Sequence, residues 1–271
     1  MQDPYPEDPL LNNNNGRNHR EGIHGDPKRN DNTRILLKNT GGIEFCSADK
    51  EQESFKLERL KKVIIEKDVD IVGLTEVNKD WRMVDYEKSV WNVVKSWKER
   101  CRIQASHNTT TNPTEPSQVG GTTTMIFNET VSRISKQGQK QRQLGRWSYI
   151  DIQGKNSLKT TIITCYCPVI SAGPQSCYSQ HLLSMSHHSK LLPPNTTCPR
   201  QLFGINLCNF VKKKMQGDFN AEFKELRKWM AELGLVEAIC KKHGYDNAPK
   251  TYKRSKDSPI DCIFVSAHLK A

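Results

Sequence analysis

The chain has 271 residues, a net charge of +11, a pI near 9.2, a mean hydropathy of −0.72 and 35% hydrophobic residues. That length suits one large domain or two small ones with a sizeable core. No stretch approaches the ~20 apolar residues of a membrane span, and Met1-Gln2-Asp3-Pro4 lacks the basic-then-apolar order of a secretory signal, so the expectation is an intracellular protein of nucleus or cytoplasm with no membrane partner.

Residues 1–32, with Pro4, Pro6, Pro9 and the Asn12–Asn15 run, show neither helical nor strand periodicity and read as a disordered polar tail ahead of one domain over 33–271. A short apolar strand is predicted from Thr33 to Asn39. Leu57, Leu60 and Ile64 recur at helical spacing between Phe55 and Lys67, where Asp68 ends the pattern. Val69 to Leu74 is a β-branched run of buried-strand type that leads into Thr75-Glu76-Val77-Asn78. A second helix is predicted from Lys79 to about Arg100, carrying Trp81, Trp91 and Trp97 as core residues.

Residues 106–119 read as a polar surface loop, and Gly120-Gly121 opens a strand through Phe127. Two further strands are predicted at Arg146–Ile152 and Lys159–Tyr166. Residues 168–197 read as irregular, broken by Pro193-Pro194. Pro199 starts a predicted helix to about Lys213, Glu222–Leu233 is a predicted amphipathic helix, and Ile260–Val265 a last strand. Strands and helices alternate irregularly, which points to a layered α/β sandwich rather than a doubly wound parallel sheet.

Nine cysteines, an odd number without a secretory leader, argue against a disulfide framework. Cys165, Cys167, Cys177, His181, His187 and His188 crowd one region but lack the paired spacings of a zinc finger. The basic excess favours a polyanionic partner, nucleic acid ahead of a membrane surface, because neutralising phosphates releases counterions.

Two pieces carry the chemistry. One is an apolar run ending at Glu76; the other is the tight turn Gly217-Asp218-Phe219-Asn220-Ala221, with an Asp and an Asn two positions apart. Phosphodiester cleavage needs one acid to hold a hard divalent cation and another to orient the attacking water, and Mg²⁺ takes one or two carboxylates while keeping its other positions for water and phosphate oxygens.

The pieces Leu74-Thr75-Glu76-Val77-Asn78, Tyr166-Cys167-Pro168, Gly217-Asp218-Phe219-Asn220 and Pro259–Ser266 follow one another in an order that resembles the endonuclease/exonuclease/phosphatase superfamily, most closely its retrotransposon-associated endonuclease domains. The resemblance implies an α/β (α+β) fold, a four-layered sandwich of two mixed sheets flanked by helices, with the active site at the strand ends on one edge. It implies Glu76 as the principal ligand of Mg²⁺ (or Mn²⁺) with Asn39 beside it, Asp218 as the residue that activates water, and Asn220 and Tyr166 on the scissile phosphate. Asp261 would support a general acid–base histidine or the metal. The implied activity is that of a divalent-metal phosphodiesterase acting on DNA. The alternatives are a phosphatase or phosphodiesterase for phosphoinositide or phospholipid head groups, and a non-catalytic nucleic-acid-binding remnant.

The chain departs from the family pattern in three places. The C-terminal Ser-Asp-His piece is missing, and His268 does not replace it, so activity is expected to be low or absent, since general acid–base groups contribute roughly 10²–10⁴-fold. Val211-Lys212-Lys213-Lys214-Met215-Gln216 precedes Gly217 where a buried strand belongs; unpaired lysines cannot be buried there, so residues 208–216 are expected to form a helix end or no regular element. Gly41 stands where many members carry an acid.

Overall fold

The computed structural model describes residues 28, 32–45, 54–109, 118–139, 144–154, 159–168, 170, 173, 176–187, 189, 192–193, 196–215, 235–237 and 264–266. The β-branched run forms strand β2 (Ile71–Thr75), buried at every position. It lies between a parallel neighbour, β1 (Ile35–Asn39), and an antiparallel one, β4 (Thr122–Phe127), with β3 (Cys101–Ser106) beyond. The resulting sheet is mixed, with order β1-β2-β4-β3.

A parallel pair needs a crossover between its strands, and helix α1 (Ser54–Glu66) supplies it. Its buried residues Leu57, Leu60 and Ile64 pack in one core with Val72 and Leu74 of β2, each side chain adding about 1.5–3 kcal/mol of apolar burial. Asp68, at φ +43, ends the helix as the sequence suggested. Its carboxylate accepts from Lys98 Nζ (2.6 Å), Lys28 Nζ (2.9 Å) and Asn128 Nδ2 (3.0 Å). The Lys98 ammonium holds the Asp68 carboxyl down to about 2 against its burial, with Lys28 adding to the effect.

The second sheet is an antiparallel meander of β5 (Ile134–Gln139), β6 (Trp147–Gln153) and β7 (Lys159–Cys165). Its outer face carries Trp147, which packs with Phe203, Leu207 and Val211 of helix α4 (Pro199–Met215). Its inner face meets the first sheet through Ile71, Ile126, Ile150 and Ile152. Helix, sheet, sheet and helix make the α/β sandwich inferred from the sequence. A further pair, β8 (Leu235–Glu237) with β9 (Phe264–Ser266), is antiparallel.

The interior between the sheets turns polar toward the C-terminal end of β2. Thr124 Oγ1 lies 2.8 Å from both Ser148 Oγ and Thr164 Oγ1, and Thr122 Oγ1 lies 2.8 Å from Ser106 Oγ. These buried hydroxyls satisfy one another, as buried polar groups must.

Several elements differ from the sequence reading. The helix expected over Lys79–Arg100 is only α2 (Val90–Lys95), preceded by a 3₁₀ turn at Tyr86–Lys88. Asp80 breaks the longer pattern: its carboxylate binds the Arg82 amide (3.0 Å) and guanidinium (2.5 Å) in a tight local turn. Trp81, Trp91 and Trp97 still belong to the core. Cys101–Ser106 and Ile134–Gln139 are strands, and Cys177–His187 is helix α3 within the stretch read as irregular. Lys212–Met215 close α4 as helix, in keeping with the lysine argument. The predicted helix Glu222–Leu233 and most of the tail 1–32 lie outside the described residues.

Candidate active-site edge

Three chain segments leave the first sheet at one edge, and each turns left-handed. Gly41 and Gly42 follow β1 at φ +53 and +89, Glu76 and Asn78 follow β2 at φ +50 and +56, and Gly120 and Gly121 precede β4 at φ +92 and +84. Positive φ in a glutamate costs of order 1–3 kcal/mol and persists only where the surroundings enforce it. Here the enforcement is visible. Thr40 Oγ1 and Gly42 N both donate to the Glu76 carbonyl at 2.8 Å, and Ile43 N donates to the Val77 carbonyl at 3.3 Å. On the other side the Asn78 amide donates to Gly120 O at 2.8 Å, while Asn78 Oδ1 accepts from Gly120 N at 2.8 Å.

Glu76 is half-buried at this edge. Asn39 pairs across β1–β2 with Thr75, one residue before Glu76; its exposed side chain accepts from Gly41 N at 3.0 Å. Tyr166 follows β7 directly. Ile162 belongs to the core around Ile71, and Thr164 lies against Gly73, where an added Cβ would meet its Oγ1 at 2.8 Å. The two strands therefore run alongside each other, and Tyr166 arrives at the level of Glu76. Asn39, Glu76 and Tyr166 share one edge of the sandwich. Asp218, Asn220, Asp261 and His268 lie outside the described residues.

The floor of this edge is built by side chains that sequence reasoning did not assign to the site. Cys177 Sγ sits 3.2 Å from where a Cβ on Gly120 would stand and 3.5 Å from His181 Nε2. Burial pushes the Cys177 thiol up to about 12, the nearby Glu76 carboxylate adding to the push and Arg146 opposing it. Burial pushes His181 down to about 3, with Arg146 adding to it. Both groups are neutral and inert near pH 7. Buried Arg146, whose carbonyl accepts from Tyr166 N at 2.8 Å, brings a guanidinium close to the same place.

Beside the edge, burial works against the charge of Asp80, but the Arg82 guanidinium holds its carboxyl below the usual range. His107, the first residue after β3, has Nε2 3.5 Å from Asp80 Oδ1, and burial lowers it below the ordinary imidazole value. Asn108 follows, fully buried, donating to the Gln180 side-chain oxygen of α3. The signal that could have found these residues is the Gly120-Gly121 pair: glycines at positive φ there let the 118–121 segment close on Asn78.

Among the described residues no three His, Cys, Asp or Glu side chains are grouped to hold a metal ion. The oxygen donors at the edge, the Glu76 carboxylate and the Asn39 amide, are of the hard type that Mg²⁺ or Mn²⁺ accepts with few protein ligands. The residues present thus fit such an ion, whereas Cys177 and His181 are two soft donors without a third His, Cys, Asp or Glu grouped with them among the described residues. No helix among the described residues is long and apolar enough to cross a membrane.

No protein-family profile and no curated protein matches the chain. Solved structures do. A 3′-5′ exonuclease (NExo) from Neisseria meningitidis aligns over 86% of this chain and 87% of its own with a TM-score of 0.51 at 15% identity. The human Nocturnin catalytic domain aligns over 87% and 83% with a TM-score of 0.49 at 14% identity. An endonuclease/exonuclease/phosphatase family protein from Leptotrichia buccalis aligns at 0.38 and 13% identity over 58% of this chain, which spans 63% of that protein's length. These neighbours are endonuclease/exonuclease/phosphatase proteins, and at this identity the likeness is one of fold. The chain has the endonuclease/exonuclease/phosphatase fold.

Proposed function

We propose that the chain is a divalent-metal-dependent phosphodiesterase domain and, more narrowly, a DNA endonuclease domain of mobile-element origin. The observation that carries this reading is the enforced left-handed Glu76 at the edge it shares with Asn39 and Tyr166. A backbone held in place at Glu76 lessens the reorganisation needed to bring its carboxylate to a cation there.

In this reading Glu76 and Asn39 hold Mg²⁺ or Mn²⁺, which when bound neutralises charge on the scissile phosphate. Tyr166 donates its phenolic hydrogen to a phosphate oxygen. Asp218 accepts a proton from the attacking water, and Asn220 steadies the phosphate. Asp261 supports the acid–base group or the metal. The fold alone does not choose DNA; the net charge of +11 and the motif resemblance favour it. A Neisseria 3′ phosphatase of this fold is itself bound to a product DNA hairpin.

The test is plasmid nicking by the purified chain. Mg²⁺ or Mn²⁺ should support nicking that chelator removes, and Glu76→Gln and Asp218→Asn should each abolish it. Nicking that persists in chelator, or in Asp218→Asn, would refute the mechanism. Phosphate release from inositol lipids without nicking would move the substrate to lipid head groups.

A further inference from the structure

Past the Glu76 turn two pieces of chain run on together. Gly42 N donates to Glu76 O at 2.8 Å and Ile43 N to Val77 O at 3.3 Å, and farther along, the side chains of Glu44 and Lys79 form an ion pair. Beside that pair lies a pocket of about 140 Å³, lined also by Trp81, Met83 and a second ion pair, Lys88 Nζ to Asp85 Oδ2 at 3.7 Å. Lys79 is three residues from Glu76, so this wall of the pocket stands within about 10 Å of the edge.

Two cations and two anions leave the pocket without net charge, so it offers little to a phosphate. Its size is a fraction of the roughly 300–1,000 Å³ of a site for a drug-sized ligand, room for a single ring. The Trp81 ring is held by Phe45 and Trp91, whose ring centroids lie 5.8 and 5.2 Å away, and Met83 is 42% exposed, a thioether that adapts to rings of varied shape. Around these apolar groups the ammonium groups can only donate and the carboxylates only accept, each with capacity beyond its own ion pair. A nucleobase has apolar faces and carries donors and acceptors side by side on its edges. An aliphatic side chain would use the apolar groups and waste the polar ones.

Resting on the phosphodiesterase reading above, we infer that this pocket takes one unstacked nucleobase of a nucleic acid whose phosphate lies at the Glu76 edge. The base packs against Trp81 and Met83, and its edge meets the Lys79–Glu44 and Lys88–Asp85 pairs. A base inside a duplex has both faces covered and must leave the stack to enter. The substrate class this favours is single-stranded or locally opened nucleic acid.

The experiment measures affinity in chelator, so that cleavage plays no part, for a single-stranded oligonucleotide and for the same backbone built from abasic residues. The two carry the same phosphates, so the ratio of their affinities isolates the bases. The wild-type chain should prefer the base-bearing strand by about tenfold, the scale of one stacked base. Met83→Ala, at an exposed position, should lower that ratio, and Trp81→Leu should bring it to about one. Both should leave the salt dependence unchanged, since no phosphate contact is lost. Trp81 also packs in the core, so a second readout spares it: an oligonucleotide carrying 5-iodouracil, irradiated on the wild-type chain, should crosslink at Trp81 or Met83. Equal affinity for the two strands would overturn the inference and leave the pocket to an apolar side chain of a protein partner. A ratio unmoved by Met83→Ala and Trp81→Leu, or a crosslink that maps outside residues 79–88, would overturn it as well. Base-dependent binding of this kind in a chain that never nicks plasmid would refute the phosphodiesterase reading and leave the pocket standing. Nicking without the base dependence would remove the pocket alone.

Discussion

Asn78 is the hinge pin of the edge, and its replacement separates two costs that usually come together. Its Oδ1 accepts from the buried Gly120 amide at 2.8 Å, and its own backbone sits at φ +56. Alanine at this position leaves the Gly120 N–H without that acceptor, a loss of about 1–3 kcal/mol. It also places a side chain without local polar compensation in the left-handed region, at about 1–2 kcal/mol. Asn78→Ala should therefore cost about 3 kcal/mol. At 2–4 °C per kcal/mol for a domain of this size, melting falls by about 6–12 °C. Asn78→Gly loses the hydrogen bond but relieves the backbone, so it should fall about half as far. Asn78→Asp keeps an acceptor and tolerates the conformation, and should lie closest to wild type. Thermal melts followed by circular dichroism give the order Asp, Gly, Ala. Alanine and aspartate variants melting within a degree of each other would show that neither the bond nor the strain holds the edge.

Gly73 is packed for a different reason: a Cβ there would meet Thr164 Oγ1 at 2.8 Å and Leu37 Cδ1 at 2.9 Å. Gly73→Ala should destabilise by about 1–3 kcal/mol through overpacking between the sheets, read from a urea midpoint, and an unchanged midpoint would contradict that packing. The Asp68 node should make stability depend on pH. Its carboxyl lies at about 2 in the folded chain against 3.8 when unperturbed, so its contribution is present above pH 3.8 and is lost as pH falls through 2. The Asp68 side chain is half exposed, so solvent screening limits the effect. Asp68→Asn should cost about 1 kcal/mol at pH 7 and only a small part of that near pH 2, with equal penalties at both pH values as the contrary result.

Much of this architecture is written locally. The Val69–Leu74 run is β-branched because β2 is covered on both faces, and Leu57, Leu60 and Ile64 repeat at helical spacing because α1 buries one face. Glu76 is legible as the polar end of that run. Its left-handed conformation is not, because partners far along the chain, Thr40 and Gly120, impose the turn it belongs to. Helix α3 escaped notice although its buried residues Cys177, His181 and Met185 stand four apart, since cysteine and histidine do not read as a hydrophobic stripe. The Trp81–Trp97 stretch misled in the opposite direction. Its aromatic spacing suits a helix, but the Asp80–Arg82 turn and the extended Ser89 satisfy the backbone another way, and the tryptophans reach the core from separate short pieces.

The central claim is that Glu76 holds a divalent cation. The direct measurement is anomalous diffraction from crystals of the chain grown with Mn²⁺, alongside the Glu76→Gln variant. One manganese peak is expected on the Glu76 carboxylate, with Asn39 beside it and Asp218, Asn220 and Asp261 gathered around it, and no peak in the variant. A manganese peak elsewhere, with Glu76 turned away from it, or the same peak retained in Glu76→Gln, would contradict the claim.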